Sequence, residues 1–501
     1  MTSTRLIERW LPIAQIGIES VRERALPTAM PAVNYLHVWW ARRPLVAARA
    51  AVLASVLPED ADQDAFMHAL GIHGDPIAAK ARIARADRLG ERLGSDAYGY
   101  SRAFSHNPTS DDMEKLVGNS SITVLDPTAG GGAIPFEAHR LGFTALANDL
   151  NPVASLIEKA TLEYPAKFGS QLLDEFREIG PVWAARLRDR LSDVFPDEPD
   201  EDCRPDGYLW ARTVVCPYCA GTVPLSPNWR LAPNGTGVCL IPHVGTGPGD
   251  DGRECSFEIV RNLSAQSQGT VAGGDGVCPF PDCGRAISGD EIKRQSQMGQ
   301  MGDQLFTVVY KRQVITKTST GKNKIKWLRD YRAPMTADDI GDAVIARLNE
   351  KMPEWEAMDI VPSEEYPGGF ADRSKIYGVK TWRDLFSPRQ LLTHGTGVEV
   401  FREMIEEERA SHSLSDAREA AYVYLSIAMD KLLNYNSRMS VWMSIREVVA
   451  NTFNRHDFAF CWSYAEMASV VEGQGLDWAI KNTGKALKEL AALMHQGVSE
   501  R

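Results

Sequence analysis

The first residues whose types and spacing could do chemistry are Asp126-Pro127-Thr128-Ala129-Gly130-Gly131-Gly132. They follow a β-branched run, Ser121 to Leu125, and precede a helical pattern from Ile134 to Leu141. Glycines at the carboxyl end of a strand let the backbone approach a ligand with no side chain in the way. The spacing is D-P-x-x-G-x-G, not the G-x-G-x-x-G of dinucleotide enzymes. A phosphate would want helix-end N–H groups, whereas an acid at the start of the loop suits a cationic, amino-acid-like ligand. S-adenosylmethionine, with its ammonium and sulfonium groups, meets that description. A second strand is expected at Thr144–Asn148. Asp149 at its end, 23 residues after Asp126, can accept both ribose hydroxyls, as in other doubly wound nucleoside sites. A solvated strand-end acid is the plainer reading of Asp149 taken alone.

Cysteines supply the second chemistry. Seven of the eight lie between Cys203 and Cys283. Cys216-Pro-Tyr-Cys219 and Cys278-Pro-Phe-Pro-Asp-Cys283 form C-x₂-C and C-x₄-C knuckles, and together they can complete a structural Cys₄ zinc site. The 58 residues between Cys219 and Cys278 make this an enlarged ribbon. Cys203, Cys239 and Cys255 are spare. Cys239, Cys255 or His243 could replace a member of the second pair, and free thiols are the remaining option.

A third feature is basic. From Lys311 to Arg332 stand Lys311, Arg312, Lys317, Lys322, Lys324, Lys326, Arg329 and Arg332 against one acid, Asp330, with Tyr310, Trp327 and Tyr331 among them. A basic two-stranded ribbon can lie along DNA phosphates or enter a groove. Alternatively its lysines only discourage edge pairing. The whole chain carries 55 Lys+Arg against 66 Asp+Glu, a net charge of −11, so nucleic-acid contact needs such a local basic surface.

The elements that must position these groups follow from the patterning. Residues 1–60 read as helical, and 61–118 as an exposed, Ala/Arg/Asp-rich helical insertion. Strand, glycine loop, helix and strand then form the first half of a doubly wound sheet. An amphipathic stretch from Gln171 to Phe195 leads to the acidic linker Pro196 to Pro205. Residues 305–332 read as a β-hairpin turning near Gly321, and long helices are expected at 395–436 and 477–495. At 501 residues and 44% hydrophobic, the chain has ample material for a core. It has no apolar run near the ~20 residues that span a bilayer and no signal-peptide pattern. No membrane association and a cytoplasmic location are expected.

Several segments resemble adenine-specific DNA methylases that carry an inserted zinc ribbon and an N-terminal domain of unknown function. They are Glu19 to Arg24, Leu36-His37-Val38-Trp39-Trp40-Ala41-Arg42-Arg43-Pro44-Leu45, Leu125 to Ala138, Asn148 to Ala154, the Cys216/Cys219 knuckle, Phe386 to Leu391, and Asn451-Thr452-Phe453 running to Trp462 and Glu466. The resemblance implies that Asp126, Pro127, Thr128, Gly130, Gly132, Asp149 and Asn151 hold S-adenosylmethionine. It implies that Trp40 and Arg42, in the Trp-Trp-Ala-Arg-Arg-Pro segment, close over its methionine end; a structural cap on the sheet is the other reading of that segment. Phe386 and Pro388 read as a helix-opening turn.

Related enzymes seize a flipped base with an Asp/Asn-Pro-Pro-Tyr/Phe loop, and this sequence contains none. The nearest string is Ser226-Pro227-Asn228-Trp229. The catalytic residues are therefore unassigned. The expectation is an α/β protein with an incomplete Rossmann-like methyltransferase sheet, an inserted zinc-ribbon region and a helical C-terminal region. Its parts are an N-terminal helical region (1–118), a donor-binding half (119–205), the ribbon (206–290), the basic hairpin and linker (291–400) and a helical region (401–501). The expected function is a DNA methyltransferase, adenine-N6 specific, present as the front part of a longer or split enzyme and inactive alone. DNA would be one partner, and a second chain or C-terminal part carrying the missing loop would be another. A non-catalytic DNA-binding module with a vestigial methyltransferase fold is the alternative. A methyltransferase acting on RNA or a small molecule is a third reading.

Overall fold

Val124 and Leu125 sit in an extended run that stops at Pro127, and Thr123–Asp126 forms strand β1. The stretch Thr144–Ala147 forms β2, parallel to β1 with Asp126 opposite Ala147. Between them Ala133–Arg140 is the crossover helix, with Gly132 in the left-handed region at its N-cap. The computed structural model describes residues 4–25, 30–94, 96–118, 120–244, 252–317, 321–369, 373–454 and 458–495. The chain is mixed α/β and divides into two units.

The first unit comprises Met1–Gly180, Ser413–Ala428 and Ile480–Arg501. Its core joins Val46, Leu53, Phe66, Leu70, Ala138 and Phe143, with Val124 and Ala145 of the parallel pair packed against it. The other face of the pair presents Leu125 and Leu146, 63% and 50% exposed. The region 61–118 is helical as expected, at Gln63–Ala69, Pro76–Leu89 and Ser110–Val117. It is not merely exposed, because Phe66, Leu70, Ile72 and Ala103 are buried in this core. Their wide spacing among polar residues hides them from a composition reading.

One buried ionic cluster fixes the crossover helix. Arg49 Nε and Arg140 Nη1 each donate to the Glu137 carboxylate at 2.5 Å, and all three side chains are 0% exposed. Arg140 also donates to the carbonyls of Phe104 and His106. Arg49 reaches those of Ala69, Leu70 and Ala103. Buried charges persist only when paired and hydrogen-bonded, so the region 61–118 completes the seat of the helix that follows the glycine loop.

The second unit comprises Pro181–His412 and Met429–Ala479. Its five-stranded antiparallel sheet is built on β3, Cys203–Val215. Gly302–Lys317 pairs along one edge of β3 and continues as the expected hairpin into Asn323–Arg332. Ser463–Met467 pairs with Gly207 to Ala211 on β3, and β4, Thr222–Leu225, with its last four residues. Leu209, Ala211, Val214, Trp229, Phe257 and Phe306 lie in the core beneath. The helical run expected at 395–436 is two helices, Pro388–Ala410 and Asp416–Asn434, the first opened by a Ser387/Gln390 capping box with Pro388 at its first position and the second belonging to the first unit as far as Ala428. Among the described residues no helix is long and apolar enough to cross a membrane.

Candidate functional site

The ends of β1 and β2 are stitched together by the loop between β1 and the crossover helix. Asn148 donates its backbone N–H to Asp126 O, and Ala129 donates to Asn148 O, both at 3.0 Å. Asp149 Oδ2 then accepts the Gly130 N–H at 2.8 Å, and its Oδ1 accepts that of Asn151 at 2.9 Å. Asp126 Oδ1 accepts from Thr128 N at 3.2 Å. Asp126, Gly130 and Asp149 therefore meet at the ends of the two strands. Pro127 and Thr128 are exposed on the loop. Asn151 is the N-cap of the helix Pro152–Glu158, its Oδ1 accepting from Val153 N.

Gly130 has φ +57°, and a Cβ there would lie 2.7 Å from Trp39 Nε1. A Cβ on Gly131 would meet Trp39 Cδ1 at 3.1 Å and Arg42 Nε at 3.3 Å. The indole on the loop is thus Trp39, whereas Trp40 is 54% exposed. Arg42 is 8% exposed. Its Nη2 donates to His37 O at 3.3 Å, and its buried Nη1 has no hydrogen-bond partner among the described residues. Burial, then the neighbouring Arg24, lowers its pKa to about 10, so it stays charged at neutral pH. The segment before it is tethered by Glu23, which accepts from Leu45 N at 2.9 Å and from Asn34 Nδ2 at 3.3 Å.

Glu158 closes the other side. Its Cγ lies 3.6 Å, and Thr161 Oγ1 3.5 Å, from where a Cβ on Gly132 would be. Glu158 is 6% exposed, and its Oε1 has no partner among the described residues. Burial first, then the charges of Asp149 and Asp126, push its pKa up to about 7. A π-helical turn, Lys159–Glu163, follows directly; such turns recur at functional sites. Sequence reasoning chose Trp40 from the segment in which Trp39 meets the loop, and it missed Glu158 and Thr161. A single acid in an otherwise apolar helix stretch was the only available signal for Glu158.

In the second unit, the Sγ atoms of Cys216, Cys219, Cys278 and Cys283 all lie within 4.8 Å of one another, a group that could hold a metal ion. Cys216 and Cys278 are buried. Each pair sits in a tight knuckle: Cys216 N–H donates to Gly221 O and Ala220 N–H to Cys216 O, while Cys278 N–H donates to Arg285 O and Cys283 N–H to Phe280 O. The intervening residues include the hairpin Gly237–His243 and Glu254–Val260. The three proposed substitutes lie elsewhere: Cys239 beside Ser267, Cys255 beside Thr222 O, and His243 against Ser256.

The basic hairpin divides in two. Near its base Lys311 and Arg329 pair with Asp206, Arg312 with Asp200 and Asp202, and Arg332 with Glu198 and Asp338. Towards the tip Lys317, Lys324 and Lys326 are exposed, with Ile315 and Ile325 opposite each other and 69% and 57% exposed.

Two further groups had been marked by sequence. Ser387 and Arg389 converge on the buried Glu466 carboxylate, Arg389 Nη2 at 2.6 Å, with Trp210 Nε1 donating at 2.9 Å; the turn at Phe386–Pro388 is also an anchor for the sheet. In Ser226-Pro227-Asn228-Trp229, Trp229 is 1% exposed and its indole N–H donates to Gln268 O at 3.0 Å.

No curated protein and no solved structure matches the chain. The model of one family, described as a protein of unknown function (DUF1156), matches residues 10–70, the stretch that includes Glu23, Trp39 and Arg42.

Proposed function

We propose that the first unit binds S-adenosylmethionine at the glycine loop and serves methyl transfer to an amino group of DNA, adenine N6 by the family resemblance. The carrying observation is the loop pinned by Asp149 between a buried guanidinium with a spare donor and a buried carboxylate with a spare acceptor. This donor set fits the ligand: Arg42 Nη1 suits its carboxylate, while Asp126, Asp149 and Glu158 suit its cationic groups and ribose hydroxyls. When bound, the ligand supplies an activated methyl, so the chain's contribution is orientation. β1, the crossover helix and β2 are read as the start of a Rossmann-like sheet. Parallel sheets are normally covered on both faces. The exposed Leu125 and Leu146 therefore mark a face suited to a further covering layer, and the base-capturing loop is assigned to a second chain or a C-terminal part.

Zinc is the metal proposed for the four cysteines. Tetrahedral Zn–S bonds of about 2.3 Å set Sγ–Sγ edges of roughly 3.8 Å. The Cys216–Cys283 and Cys219–Cys278 separations are 3.8 and 3.6 Å. Four thiolates leave no open position, which makes the site structural. DNA is assigned to the tip of the basic hairpin, and Trp229, a core residue, is not a base-stacking ring. Binding to the native state raises its melting temperature. S-adenosylmethionine should therefore raise that of the chain but not that of Asp149→Ala. The absence of a base-capturing string favours one other reading, a DNA-binding module with a vestigial donor site, which predicts DNA binding with no such shift.

A further inference from the structure

We propose that Glu158 is the residue by which this site tells a positively charged methyl donor from its uncharged thioether product. The inference rests on the donor-site reading above and names a residue that the glycine-loop pattern does not contain. Glu158 ends the helix Pro152–Glu158, capped by Asn151 beside Asp149. The π turn after it places Thr161 and Glu158 together against Gly132. Thr161 spends its hydroxyl on the carbonyls of Ile157 and Glu158. That leaves the Glu158 carboxyl as the side-chain group there with an unfilled acceptor.

The charged groups acting on Glu158 are Asp149 and Asp126, both like-charged, and Arg42 lies on the Gly131 side of the loop. Burial first, then these two like charges, disfavours the ionised form of Glu158, so near neutral pH Glu158 is partly protonated. A sulfonium supplies the missing positive charge. Glu158 then ionises and its proton leaves to solvent. The thioether product carries the same amino and carboxylate groups but lacks that charge, so it draws no proton from Glu158. The donor is held more tightly as pH rises, and the product is not. After methyl transfer Glu158 takes a proton back, which favours release of the product.

The test is titration calorimetry of the full chain with S-adenosylmethionine and with S-adenosylhomocysteine between pH 6 and 8, in buffers of different ionisation enthalpy. A group titrating near pH 7 gives a donor affinity about tenfold higher at pH 8 than at pH 6. Proton release should accompany donor binding near pH 6.5, with neither effect for the product. Glu158→Gln should remove the pH dependence and the proton release and reduce the donor-to-product preference. Donor binding that is flat in pH and releases no proton would overturn the assignment of Glu158 while leaving the donor site standing. So would an undiminished preference in Glu158→Gln. Failure of both ligands to bind at any pH would overturn the site and the inference together.

Discussion

Glu137 should be the most sensitive single residue of the first unit. Its carboxylate pairs with both Arg49 and Arg140, and none of the three side chains has any exposure. Burial lowers the pKa of Arg140 to about 10, which still leaves it charged at pH 7. Glu137→Ala therefore strands two guanidiniums together. Breaking a buried pair by removing one partner costs about 3–5 kcal/mol, and two orphaned charges place this case near 5 kcal/mol. Domain stabilities run from about 5 to 15 kcal/mol, so the loss is a third of the total or more. At roughly 2–4 °C per kcal/mol for a unit of this size, the melting temperature should fall by about 10–20 °C. Urea denaturation followed by circular dichroism measures the change. The control is Glu59→Ala, which removes an exposed pair with Arg9 and should cost less than about 1 kcal/mol. A loss below about 1 kcal/mol for Glu137→Ala, with an unchanged denaturant slope, would refute the reasoning.

Glu23 is buried, and desolvation raises its pKa to about 7 from 4.5. Folded protein then binds more protons than unfolded protein between those values, so stability falls as pH rises through that window and levels off above 7. Glu23→Gln removes this cost. Relative to wild type it should gain about 3 kcal/mol between pH 4.5 and pH 8, read from paired urea titrations; a pH-independent difference would count against the buried carboxyl. Elemental analysis should find one zinc per chain, and Cys278→Ser should abolish it and lower the melting temperature of the second unit. Replacing Lys317, Lys324 and Lys326 by Ala should flatten the log–log salt dependence of DNA binding by about 2–3, at roughly 0.9 per lost phosphate contact. An unchanged slope would remove the hairpin tip from the interface.

The glycine loop was legible because its geometry is local: Asp126, Gly130 and Asp149 occupy strand ends that the β1–helix–β2 order brings together. Cysteine pairing was legible for the same reason, since each knuckle is one tight turn. Trp39 was hidden beside Trp40. The segment after the helix Ala32–Leu36 has no regular period, so spacing does not say which indole meets the loop. Glu158 was hidden because a single acid on a helix ordinarily faces water, and only packing against Gly132 shows otherwise. The hairpin strands were readable from their pattern, but their charge was not. The acids that pair with Lys311, Arg312 and Arg329 are Asp200 and Asp202 in the stretch Pro196 to Pro205 that reads as an acidic linker, and Asp206 just past it, yet that stretch runs into β3.

The central claim, that the glycine loop holds S-adenosylmethionine, is tested most directly by calorimetric titration of the purified chain beside Gly130→Ala. That substitution puts a Cβ against Trp39 at a left-handed backbone position. The account predicts one site per chain in the wild type and none in the variant. No binding by the wild type at about 1 mM ligand, a concentration that detects affinities as weak as roughly 4 kcal/mol, would contradict it, as would unaltered binding by Gly130→Ala.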